Sequence, residues 1–101
     1  MKPIEQYPAL GRFLAGYFHQ DWVLDDPDTA AVVDRFVREA GPEQVQAVIG
    51  ELDRLLASNL DPGSLEALVS SELNCSYYPP GEGMSYPQWL RWLRGRLAGV
   101  P

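Results

Sequence analysis

Five of the nine prolines, Pro8, Pro27, Pro42, Pro62 and Pro87, stand at the head of a stretch whose apolar residues recur at the spacing of an α-helix. A proline in a helical first turn forfeits nothing, because the N–H it lacks would find no acceptor inside the helix, and its fixed φ is already helical. The chain is thereby cut into five short helices, and no segment shows the period-2 alternation of a strand. This predicts an all-α fold, a single-domain bundle of about five short helices spanning residues 1–101, with connections too short and helices too brief for an extended coiled coil.

The periodicities name the core. Leu10, Phe13, Leu14, Tyr17 and Phe18 share one face of a helix that starts at Pro8 and ends near His19 to Asp21. Asp26 caps a second helix opened by Pro27, with Val32, Val33, Phe36, Val37 and Ala40 facing inward and Gly41 ending it. Pro42 opens the third, whose set Val45, Val48, Ile49, Leu52, Leu55 and Leu56 is the most regular, and Asn59 takes the left-handed conformation that closes it. Asp61 and Pro62 start a fourth, lined by Leu65, Leu68, Val69 and Leu73. The fifth start is the best specified. Ser85 and Gln88 form a capping box, and Met84 and Trp89 a hydrophobic staple, ahead of the stripe Tyr86, Trp89, Leu90, Leu93 and Leu97.

The net charge of −6 is unevenly spread. Residues 91–101 carry Arg91, Arg94 and Arg96 and no acid, whereas Asp21, Asp25, Asp26 and Asp28 crowd into one short turn. A surface of this sign repels phosphate backbones, so the expectation is no nucleic-acid partner and attraction for a basic protein. No stretch approaches the ~18 consecutive apolar residues of a membrane span, and no apolar run opens the chain. A cytoplasmic location with no membrane partner is the expectation. The free chain is expected to be a monomer or a weak homodimer.

Catalytic readings find little support. His19, the sole histidine, has no second histidine and no Glu-x-x-His motif beside it, and at a helix end its charge suits the negative pole of the helix dipole. Cys75 is the only cysteine, so no disulfide can form within the chain, and no general base accompanies it. No serine lies in a G-x-S-x-G elbow, and no glycine-rich loop precedes a lysine. No enzyme activity, metal or cofactor is expected. Trp92 falls off the buried stripe and is a candidate interface anchor, as are the tyrosines of the loop NCSYYPPGEGM, which its prolines stiffen.

The run YPALGRFLAGYFHQDW with its acidic turn, the central ELDRLLAS, and the closing YYPPGEGMSYPQWLRWLRGRL resemble, in this order and over nearly the whole chain, the small all-helical immunity proteins of bacterial contact-dependent growth inhibition systems. The resemblance implies a partner: the toxic C-terminal domain delivered by sister cells, which the immunity protein binds and neutralises. Many such toxins are nucleases, whose positive charge an acidic partner would match. It supplies no catalytic residues. From the residues themselves the toxin-facing surface is expected to comprise Asp21, Trp22, Asp25, Asp26, Asp28, Tyr77, Tyr78 and Glu82, with acids speeding encounter and aromatics supplying buried area. The alternative is a small acidic adaptor with a different protein partner.

Overall fold

The computed structural model describes residues 3–99, with side chains from residue 5 onward; residues 1–2 and 100–101 of the expected domain lie outside the described residues. Seven α-helical segments follow one another: α1 (Pro3–Gln6), α2 (Pro8–Tyr17), α3 (Trp22–Asp25), α4 (Thr29–Ala40), α5 (Pro42–Ala57), α6 (Pro62–Ala67) and α7 (Tyr86–Leu97). A π-helical turn, Leu68–Glu72, extends α6, and a 3-10 turn, Pro79–Glu82, precedes α7. No strand is present among the described residues. The five helices read from the sequence are α2, α4, α5, the α6 pair and α7; α1 and α3 are single turns too short to carry a periodic signal.

The helix ends obey local chemistry. Ser85 Oγ accepts from Gln88 N at 3.2 Å while Gln88 Oε1 accepts from Ser85 N at 2.8 Å, completing the capping box. Asp61 accepts from Ser64 N and caps α6. Gly41, at φ +83°, both ends α4 and lets Pro42 open α5 at once, and Asn59 closes the end of α5 at φ +57°. One start differs from expectation. α4 begins at Thr29, capped by Asp28 through Ala31 N at 2.8 Å, because the Asp26 carboxylate is engaged by Arg35.

The first turn of α2 has no side-chain cap of its own. Its amides are satisfied from across the molecule: Glu51 of α5 accepts from Ala9 N at 3.1 Å and Leu10 N at 2.8 Å, and it is buried. A carboxylate at a helix N-terminus faces the positive end of the dipole and takes charge-assisted hydrogen bonds, so this contact fixes α2 on α5.

The core lies where α5 packs against α2 and α7 and where α4 closes on both α5 and α7. Leu10, Leu14, Val32, Val33, Val48, Leu52, Leu90 and Leu93 are fully buried there. Aromatic rings fill one side, with Phe13 between Tyr17 and Phe36, and Phe18 meeting Trp89 edge-on at 5.3 Å. Val37 is exposed rather than inward, and Leu56 and Ala40 lie half-buried against the core. Arg94 and Arg96 reach across to acids on neighbouring helices. They pair with Asp53 of α5 at 2.9 Å and Asp34 of α4 at 2.7 Å, tying α7 to both neighbours.

Candidate protein-binding surface

The segment 18–28 leaves the core at Phe18 and turns twice before α4. His19 organises the first bend: its Nδ1 accepts from Asp21 N at 3.1 Å, which assigns the proton to Nε2, and Nε2 donates to Asp25 Oδ2 at 3.0 Å. The histidine, next after the C-cap of α2, therefore also holds α3 in shape. The second bend is fixed by Asp26, which receives Arg35 Nη2 at 2.8 Å and Arg35 Nε at 3.2 Å. Arg35 lies over the Tyr17 ring and also reaches Glu39, and Tyr17 donates to Glu39 at 2.6 Å. Burial first, and then this hydrogen bond to Glu39, push the Tyr17 phenol above its ordinary pKa.

Of the residues expected to face a toxin, Asp21, Asp25, Asp28, Tyr78 and Glu82 are exposed, and Trp22 is half-buried. Two expectations are corrected. Asp26 is buried in its ion pair with Arg35, a structural strut of the turn. Tyr77 is buried too, packed against Phe18, Trp22 and Trp89. A tyrosine pair in a loop presents alternate side chains to opposite sides, so one enters the core and Tyr78, 54% exposed, faces out beside Tyr86. Trp92, off the buried stripe, is half-buried against the core.

The acidic turn and the aromatic loop are nevertheless contiguous. Ser76 N donates to Phe18 O at 2.8 Å, and the Trp22 ring stands edge-on to Tyr77 at 5.8 Å. Burial first, and then the nearby Glu82 carboxylate, push the Tyr77 phenol up to about 12.

Two residues escaped the sequence reading. Val23 and Leu24 of α3 are 62% and 79% exposed, and none of the four residues of α3 is buried. The signal was present in YFHQDWVLDDPD: an aliphatic pair with no apolar residue three or four positions onward to share its face.

Cys75 is buried, its Sγ donates to Tyr77 O at 3.8 Å, and burial pushes its pKa up to about 12, the opposite of an activated thiol. No group of three or more His, Cys, Asp or Glu able to hold a metal ion occurs among the described residues. A groove of about 440 Å³ opens at the other end of α2, where Tyr7, Leu60, Ser64, Leu68 and Glu72 line it. Ser58 lines it as well, and His19, the sole histidine, is not among its lining residues.

An all-helical bundle that shows aliphatic side chains among carboxylates on an exposed turn has the surface of a protein-binding module. Residues 6–97 match the model of a protein family described as CdiI immunity protein, and the chain belongs to that family. It is also similar to a chain in the crystal structure of the CdiA-CT/CdiI complex from Y. kristensenii 33638, with 28% identity and a TM-score of 0.86 over 91% of this chain and 98% of that one. No curated protein matches the sequence.

Proposed function

We propose that this chain binds the CdiA-CT toxin domain made with it and neutralises that domain as a non-enzymatic inhibitor in the cytoplasm. The observation that carries this reading is the likeness, across nearly the full length of both chains, to a protein solved in a CdiA-CT/CdiI complex. Family membership agrees with it. The contact face is the one formed by residues 19–28 and the loop before α7, where Asp21, Trp22, Asp25, Asp28, Tyr78 and Glu82 lie. Its sign suits a toxin that carries positive charge for phosphate groups, as a nuclease does, and disfavours nucleic acid itself. The free chain is a monomer or at most a weak dimer.

The test is co-expression with the CdiA-CT domain encoded beside its gene, scoring survival and pull-down of the pair at two salt concentrations. Rescue with binding that weakens in salt is expected. Loss of both rescue and binding, with each protein folded, would favour an adaptor that serves another partner.

A further inference from the structure

Val23 and Leu24 are large aliphatic side chains that the fold does not use. They occupy a four-residue helix with no buried member, so nothing inside the chain gains from their apolar surface. Leu24, at 79%, is the most exposed large hydrophobic side chain among the described residues. Their carrier is rigid. The His19 bridge between Asp21 N and Asp25, the Asp26–Arg35 pair, and Trp22 against Phe18 and Tyr77 tether both ends of α3 to the fold. A fixed apolar knob loses little entropy on docking, which is the property of an interface anchor.

The charges around the knob select its occupant. Asp21, Asp25 and Asp28 are exposed within a few residues of it. A second copy of the chain would meet this patch with the same patch, since a two-fold interface is self-complementary, and would set these carboxylates against their own images. A basic surface with an apolar depression fits instead.

Resting on the functional reading above, we propose that Val23 and Leu24 are the anchor of the toxin interface, that Asp21, Asp25 and Asp28 form its steering rim, and that the toxin offers a basic face with an apolar pocket. Anchor and rim then act on different rates. A desolvated anchor governs dissociation, and rim charges govern association and its salt dependence.

The experiment measures binding kinetics of the full chain to the CdiA-CT domain encoded beside its gene, at low and high salt. Val23→Ser/Leu24→Ser should dissociate at least about 30-fold faster with association changed less than about 3-fold. Leu24→Ala alone should show the same split in smaller measure. Asp21→Asn/Asp25→Asn/Asp28→Asn, which keeps a capping side chain at position 28, should associate about 10-fold more slowly at low salt and approach wild type at high salt. If the wild type binds and both aliphatic variants dissociate as it does, the anchor is overturned while the functional reading stands. If the wild type does not bind, both fall. If the free wild type sediments as a dimer that Val23→Ser/Leu24→Ser disperses, the occupant is a second copy and the proposal is overturned.

Discussion

At α7 every member of the apolar stripe is buried, the start is closed by a capping box, and two arginines tie the helix to α4 and α5. At α3 no residue is fully buried, the turn is held by a histidine, an arginine and the half-buried Trp22, and two aliphatic side chains face outward. The first region spends its apolar residues on itself. The second relies largely on polar contacts to hold its backbone and leaves Val23 and Leu24 for another molecule. Polar bonds have directional geometry and packing does not, so a short loop can be fixed by the former without covering the side chains it displays.

The contrast predicts a graded series. Trp89 is fully buried among Phe18 and Tyr77, and Trp89→Ala should cost about 3–5 kcal/mol in urea denaturation. Its indole N–H has no hydrogen-bond acceptor among the described residues, so Trp89→Phe should cost far less than the alanine change. Glu51→Ala leaves two buried amides of α2 without an acceptor and should cost about 2–3 kcal/mol by the same measurement. A loss below about 0.5 kcal/mol would show that α5 does not hold the first turn of α2.

Asp26→Ala removes the main partner of Arg35, which keeps Glu39, and should cost about 1–2 kcal/mol. It should also weaken toxin binding by loosening α3, although Asp26 itself is covered. Alkali probes the aromatic side of the core. Tyr77 and Tyr86 have pKa values pushed up to about 12, chiefly by burial. The unfolded chain loses these protons near pH 10 while the folded chain keeps them, so their contribution is complete below pH 10 and disappears as pH rises toward 12. The urea midpoint should therefore drop over that interval, and less steeply in Tyr77→Phe. The smallest effect is expected at the exposed turn: Val23→Ser/Leu24→Ser should leave stability within about 0.5 kcal/mol of wild type, measured by thermal and urea melts. A large loss there would erase the distinction between the two regions.

Most of the fold was legible because its signals are local. Proline at helix starts, Gly41 and Asn59 at ends, and the Ser85–Gln88 box each act within a few residues of themselves. Glu51 was not legible as a cap, since its partners lie more than forty residues away and an acid in mid-helix reads as solvent-facing. Asp26 was misread for a related reason: Asp26-Pro27 and Asp28 offer competing starts for α4, and only the tertiary pairing of Asp26 with Arg35 decides between them. The candidate surface was half legible. The acidic turn could be read as a cluster, but which of Tyr77 and Tyr78 faces outward depends on the direction in which the loop crosses Phe18, and Ser76 sets that through one backbone hydrogen bond. Val23 and Leu24 carried a visible cue, a pair without helical partners, that apolar residues are easily assumed to lack because they are assigned to the core by default.

The most direct measurement is amide hydrogen exchange along the chain, free and bound to the CdiA-CT domain encoded beside its gene. Added protection should concentrate at residues 19–28 and in the loop 74–84, with the core helices changed little. Protection confined to α6 and the groove beside Leu60, with residues 19–28 exchanging as they do in the free chain, would contradict the account.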